Sequence, residues 1–238
     1  NAVITGAAGG IGRACAQHFL NAGARVVISD INLSALQQAQ QSLTAREDHV
    51  WAVQCDVSQS AQCEALVQQS ERLFGAPLDI FLVNAGRPFS GALTQAQEQD
   101  IRDVIDVNVT GSIFSAQAAL RSLVRGKTPS LLFTGSLQSV MGRAQRSVYT
   151  ASKHAVAGLV KSLALEMGPQ GVRVNGIAPT LIDTPFLRQA YAQVGIEIES
   201  GLKRAADELP LGHIPTTDDF AQAAVFLASS AARSVTGH

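Results

Sequence analysis

The chain of 238 residues is 46% hydrophobic and only 16% charged, with a mean hydropathy of +0.15, which describes a well-filled globular protein. Its 18 basic and 19 acidic side chains leave a net charge of −1, and no Lys/Arg block supplies the footprint that nucleic-acid binding needs. No apolar run reaches the roughly 18 residues that span a bilayer, and the opening NAVITGAAGG has neither a basic region nor an apolar core with a cleavage site. A soluble, cytoplasmic protein is expected, with no nucleic-acid or membrane partner.

In chain order, Ala2 to Thr5 is a short apolar run, followed by a glycine-rich turn and a helical pattern that sets Ile11, Cys15, Phe19 and Ala22 on one face. Arg25 to Ser29 is a second run, after which Leu33, Leu36, Ala39 and Leu43 repeat the helical period. His49 to Gln54, Leu78 to Val83, Ser130 to Thr134 and Val172 to Ile177 continue the series. These runs are nearly continuous in apolar character, so they read as strands buried on both faces. Their alternation with helices predicts an α/β fold: a doubly wound, mostly parallel sheet (Rossmann fold) in a single three-layer domain spanning 1–238.

Residues 184–216 break this rhythm, with Pro185, Gly195, Gly201, Pro210, Gly212 and Pro215 around weak helical patterns at Phe186 to Ala192 and Gly201 to Glu208. A late insertion of this kind covers a substrate site or is a surface excursion. The first strand starts almost at Asn1 and few residues follow the helix at Phe220 to Leu227, which suggests a chain trimmed at both ends.

Cys15, Cys55 and Cys63 are odd in number and lack metal-ligand spacing, so buried free thiols are expected rather than disulfides or zinc ligands. His18, His49, His154, His213 and His238 are scattered, and no metal site is expected.

The first strand runs into Thr5-Gly6-Ala7-Ala8-Gly9-Gly10-Ile11-Gly12 and then a helix. Glycines there permit a tight turn and let backbone N–H groups approach a pyrophosphate at the positive helix end. Asp30 ends the second strand 18 residues beyond Gly12, near the spacing of the carboxylate that hydrogen-bonds an adenosine ribose. A carboxylate there repels a 2′-phosphate and no basic residue interrupts the glycine turn, so NAD is favoured over NADP; capping of the next helix is the alternative, one that Asn32 or Ser34 would serve equally. Asp56 has the same ambiguity, as a cap near Ser58 or an adenine contact.

Tyr149 and Lys153 stand four apart in YTASK, opening a segment in which Val156, Leu159, Val160 and Leu163 share a helical face. That spacing stacks phenol and ammonium over one turn. The ammonium should lower a phenol pKa that starts near 10, an oxidised nicotinamide further, so that Tyr149 exchanges a proton with an alcohol. Ser136, 13 residues earlier, would hydrogen-bond the same substrate oxygen.

With TGAAGGIG, Asp30, Asp56-Val57, Asn84-Ala85-Gly86, Asn108, Ser136, YTASK and the APTLIDT run from Ala178 to Thr184, the chain resembles the short-chain dehydrogenase/reductase family over essentially its whole length. The resemblance implies a catalytic set of Asn108, Ser136, Tyr149 and Lys153: Tyr149 as general acid/base, Lys153 lowering its pKa and binding the nicotinamide ribose, Ser136 orienting the carbonyl, and Asn108 holding a water that relays protons. It implies cofactor contacts at Gly6, Gly10, Ile11, Gly12, Asp30, Ile31, Asp56, Val57, Asn84, Ala85, Gly86, Tyr149, Lys153, Pro179, Ile182 and Thr184. The chain departs from the family pattern at Val83, where an asparagine is usual, and at Thr180, where a glycine follows the proline and a Cβ now stands beside the nicotinamide place. The family's closing strand is expected only beyond His238.

The substrate is expected to meet Ser136, Gln138, Tyr149, Arg87 and Arg146, with Phe89, Met141, Gln145, Arg143 and the 184–216 insertion around them. Three arginines are more than an apolar ketone requires, so a polar substrate (a sugar, a polyol or a hydroxy acid with its anion on an Arg fork) is the expectation; solvated or structural arginines are the alternative. Small residues at Ala151, Ala155, Gly158 and Ser162, and at Ala116, Ala118 and Ala119, suggest helix pairing between subunits, and the resemblance implies a homotetramer. The function expected is therefore NAD-dependent hydride transfer between a secondary alcohol and nicotinamide. A 3-oxoacyl thioester reductase and a non-catalytic NAD-binding regulator remain as rivals.

Overall fold

A computed structural model describes residues 1–44 and 49–238. Six strands, β1 (Ala2–Thr5), β2 (Val26–Asp30), β3 (Val50–Gln54), β4 (Ile80–Val83), β5 (Ser130–Thr134) and β6 (Arg173–Ile177), form one wholly parallel sheet in the order β3-β2-β1-β4-β5-β6. The helices are α1 (Gly10–Asn21), α2 (Leu33–Ser42), α3 (Ser60–Phe74), α4 (Glu98–Ile105), α5 (Gly111–Leu123), α6 (Ser147–Met167), α7 (Pro185–Ala192), α8 (Ile198–Asp207) and α9 (Thr217–Ala228). The strand order reverses between β1 and β4, and the crevice outside their carboxyl ends is where this architecture takes its ligand.

Alternation along each strand supplies both cores. In β1, Ala2 and Ile4 pack with Cys15 and Phe19 of α1 and with Phe220 and Ala224 of α9, while Val3 points the other way into Leu66, Phe74 and Leu123 of α3 and α5. Full burial of each large side chain contributes roughly 1.5–3 kcal/mol, which is why β1, β2, β4 and β5 are built mainly of apolar residues. Two expected strands begin late for the same reason. Leu78 and Val172 are apolar because they are buried, but their N–H groups go to Ser122 Oγ and to the Met167 carbonyl rather than to a neighbouring strand. The three cysteines are buried free thiols, as expected.

Several local expectations change. Ala22 caps the C-terminus of α1 and is exposed, and Leu43 caps α2 rather than lying within it. Ala116, Ala118 and Ala119 are buried against α3 and the sheet, so they offer no surface to a second subunit; Ala151, Gly158 and Ser162 of α6 stay exposed. Residues 184–216 hold two helices. Thr184 accepts from Leu187 N at 3.3 Å and caps α7, and Gly201 belongs to α8, where a Cβ would lie 2.8 Å from Ile196 Cγ2 beneath the Tyr191 ring. Residues 235–238 already pair with the outer edge of β6, through Gly237 N to the Val174 carbonyl at 2.7 Å and Asn175 Nδ2 to the Val235 carbonyl at 2.9 Å, where the closing strand was expected only beyond His238.

Candidate active site

The turn after β1 is shaped by glycines that nothing larger replaces. Gly6 has φ +64°, and a Cβ there would lie 2.7 Å from Ala85 Cα; Gly12 sits so close beneath the turn that its Cβ would lie 2.8 Å from Ala7 Cα. Gly9, the N-cap of α1, brings no side-chain acceptor to the first helical turn, which leaves the positive helix end open to an anion. Asp30 stands opposite. Its Oδ2 accepts from Ala8 N at 3.2 Å and its Oδ1 from Asn32 N at 3.1 Å, while the cap of α2 is Asn32, which accepts from Ala35 N at 3.0 Å. The capping alternative for Asp30 is therefore taken up by its neighbour, and the carboxylate lines the cleft.

Asn84, just after β4, ties the turn to the rest of the site. Its Nδ2 donates to the Thr5 and Gly6 carbonyls at 3.0 and 2.9 Å, and its Oδ1 accepts from Thr134 Oγ1 at 2.9 Å. The Thr134 carbonyl in turn accepts from Lys153 Nζ at 2.7 Å. Lys153 is buried, and loss of hydration pulls its pKa from 10.5 down to about 8. Its Nζ lies 5.7 Å from the centroid of the Tyr149 ring, whose other side meets Phe186 at 5.8 Å between centroids. Ser136 Oγ donates to Gln138 Oε1 at 2.5 Å, accepts from Gln138 N at 3.2 Å and shares a hydrogen bond with Tyr149.

The expected lowering of the tyrosine pKa is reversed in the protein by itself. Burial pushes the Tyr149 phenol from 10 up to about 12, and the Ser136 hydrogen bond and the Arg146 charge only partly offset it. Four-residue spacing brings the ammonium near the ring, but loss of hydration is the largest influence on the phenol.

One cleft of about 310 Å³ gathers most of the expected residues: Gly6, Gly10, Ile11, Asp30, Asn84, Ala85, Gly86, Ser136, Gln138, Arg146, Tyr149, Lys153, Pro179, Ile182 and Thr184. Others stand apart from its walls. Gly12 lies beneath the turn, and Ile31 is 60% exposed beyond Asp30. Asp56 Oδ1 accepts from Ser58 N and Ser58 Oγ at 3.0 and 2.7 Å, holding its own loop, and Val57 packs against Gly111. Arg87 is paired with Asp103, Nη2 to Oδ2 at 2.9 Å, outside the walls of this cleft. Asn108 is buried in a five-residue π-helical turn, Asp106–Thr110, and its amide is fully engaged: Oδ1 accepts from Arg87 N at 2.7 Å, and Nδ2 donates to the Arg87 carbonyl and Ser152 Oγ at 3.0 Å each. That side chain therefore holds the Arg87 backbone and Ser152 in place behind the cleft. Phe89 lies under Tyr149 rather than in the cleft, and Met141 and Gln145 are exposed outside it.

The cleft also includes Gly9 of the glycine turn, Leu181 of the APTLIDT run, and Pro185, Phe186, Leu187 and Ala190 from the insertion expected around the substrate, together with Thr134 and Gly135. Thr134 and Gly135 are the two that sequence reasoning missed, since they read only as the end of a strand and the residue after it.

Comparison with known proteins bears on this arrangement. A family model described as enoyl-(acyl carrier protein) reductase matches residues 6–238. The chain is 33% identical to 2,5-dichloro-2,5-cyclohexadiene-1,4-diol dehydrogenase of Sphingobium indicum, over 99% of this chain and 92% of that one. Among solved structures, 3-ketoacyl-(acyl-carrier-protein) reductase from Brucella melitensis complexed with NADH superposes with a TM-score of 0.90 at 28% identity, covering 99% and 93% of the two chains. A short-chain type dehydrogenase/reductase from Mycobacterium marinum gives 0.90 at 29% identity, covering 99% and 91%.

Proposed function

The chain belongs to the short-chain dehydrogenase/reductase family, and from that premise we propose that it is an NAD-dependent dehydrogenase moving hydride between a polar secondary alcohol (a sugar, a polyol or a hydroxy acid) and nicotinamide, with Tyr149 as general acid/base. The observation that carries the reading is the meeting of Ser136, Tyr149 and Lys153 in the same cleft as the glycine turn and Asp30.

The cleft suits a dinucleotide. The turn is a cradle that a Cβ on Gly6 would fill, the first turn of α1 is uncapped, and the buried Thr180 Oγ1 has no protein partner among the described residues. Gly6, Gly10 and Ile11 would hold the pyrophosphate, and Asp30 the ribose hydroxyls, its charge excluding a 2′-phosphate. Asn84, Ala85, Gly86, Pro179, Ile182 and Thr184 would border the nicotinamide half, with Ile31, Asp56 and Val57 proposed at the adenine edge. When bound, the nicotinamide supplies the hydride acceptor.

The protein's own residues handle the proton. Ser136 Oγ, now bonded to the Gln138 amide oxygen, offers its hydrogen to a substrate oxygen in that place. As the phenolate, its own proton first released to solvent, Tyr149 Oη would take the alcohol proton; Arg146 favours that ionised form by charge and burial opposes it. Lys153 keeps its ammonium fixed to Thr134, and Asn108 holds the Arg87 backbone and Ser152 behind the site. We further propose a cytoplasmic homotetramer; the three free thiols support the first, and the exposed small residues and 82% exposed Leu165 of α6 support helix pairing between subunits.

A 3-oxoacyl thioester reductase is the second reading, favoured by the Brucella melitensis neighbour. A panel of secondary alcohols and acetoacetyl-CoA, assayed with NAD(H) and NADP(H), separates the two. Turnover of polar alcohols with NAD, lost in Tyr149→Phe with NAD binding retained, is the expected result. Inactivity across the panel with intact NAD binding would instead indicate a regulator.

A further inference from the structure

The wall of the cleft beside Tyr149 carries two guanidinium groups, more cationic charge than the proton transfer at Tyr149 calls for. Arg143 and Arg146 both line the cleft with Ser136, Gln138 and Tyr149. Arg87 is the contrast, neutralised by Asp103 outside the cleft. Arg146 is half-buried, and its guanidinium is held only by a long bond from Nη1 to the Phe89 carbonyl at 3.4 Å. Among the described residues no carboxylate forms an ion pair with Arg143 or Arg146. Burial and the repulsion of Arg143 hold the Arg146 pKa below its usual value, and Tyr149 feels the Arg146 charge. A cation taken partly out of water without a counter-charge is destabilising until something anionic meets it.

The backbone holds this arrangement under strain. Gln145, between the two arginines, has φ +60°, the only non-glycine residue in the left-handed region among those described. Its carbonyl accepts from Gly91 N at 2.9 Å, and Arg146 N donates to the Arg143 carbonyl at 3.2 Å, closing a turn. A left-handed non-glycine residue persists where surrounding bonds impose it, and such positions cluster at binding sites.

We propose that Arg146, seconded by Arg143, binds a carboxylate of the substrate, so that the alcohol oxidised at Tyr149 belongs to a hydroxy acid rather than to a neutral sugar or polyol. This rests on the dehydrogenase reading above and narrows its substrate class. The planar fork of a guanidinium matches a carboxylate with two parallel hydrogen bonds. Because Arg146 adjoins Tyr149, the acid group lies within a few bonds of the reacting carbon.

The test uses the whole protein with NAD and pairs each of lactate, β-hydroxybutyrate and γ-hydroxyvalerate with its own primary amide. Wild type should prefer at least one acid over its amide in kcat/KM, chiefly through KM. In Arg146→Gln the acid-to-amide ratio should fall about 10- to 100-fold, in Arg143→Gln by less, and Arg146→Lys should restore part of it. The ratio is internal to each variant, so loss of folded protein does not move it. A wild-type ratio near one for every pair, an unchanged ratio in Arg146→Gln, or turnover confined to neutral alcohols overturns the proposal and leaves the dehydrogenase reading standing. Equal losses on acid and amide, with a pH profile shifted upward, overturn it in favour of a charge effect on Tyr149 alone. Absence of turnover on any alcohol with NAD or NADP overturns the dehydrogenase reading itself, and this one with it.

Discussion

Lys153 Nζ donates to the carbonyl of Thr134, the residue whose hydroxyl is bonded to Asn84, so the buried ammonium is joined through two side chains to the glycine turn two strands away. Asn84→Ala removes three hydrogen bonds at once. At about 1 kcal/mol each, it should cost roughly 2–4 kcal/mol in urea denaturation and weaken NAD binding by loosening the Gly6 turn. Asn84→Asp should not restore binding, because a carboxylate would face the Thr5 and Gly6 carbonyls.

The buried pair predicts a distinctive pH dependence. Between pH of about 8 and 10.5 the unfolded chain holds a proton on Lys153 that the folded protein has released, so stability rises with pH across that window. Tyr149 acts in the opposite sense: its folded pKa is raised to about 12, so its contribution is complete below pH 10 and is lost as pH climbs toward 12. Thermal unfolding of the free protein should show the rise in wild type and its absence in Lys153→Met.

Cofactor choice should turn on two adjacent positions. Asp30 lines the cleft and Ile31, beside it, is 60% exposed. Asp30→Ser combined with Ile31→Arg should reverse the preference from NAD to NADP in kcat/KM, since the change removes a repelling carboxylate and adds a fork for the 2′-phosphate. Titration with both cofactors reads the result directly.

Thr180→Val keeps the volume and removes a buried hydroxyl that lacks a protein partner. The free protein should gain about 1 kcal/mol, or roughly 2–4 °C in Tm. A smaller gain with NAD present would show that the cofactor supplies the missing partner.

The amino-acid sequence by itself determined the parallel sheet, the glycine turn, Asp30 and the Tyr149–Lys153 pair. Each is encoded in local period or spacing: continuous apolar runs for strands covered on both faces, glycines where a Cβ would collide, and two side chains one helical turn apart. Tertiary structure decided what depends on residues distant in sequence. Arg87, Arg143 and Arg146 look alike as letters, yet Asp103 neutralises the first and leaves the others facing the cleft. Asn108 reads as a helix irregularity until Arg87 and Ser152 engage its amide, and the cap that Asp56 gives its own loop is visible only where Ser58 meets its carboxylate. The state of the free Tyr149 phenol depends on the fold in the same way: spacing sets how near the ammonium comes, but only packing sets the loss of hydration that raises the phenol pKa.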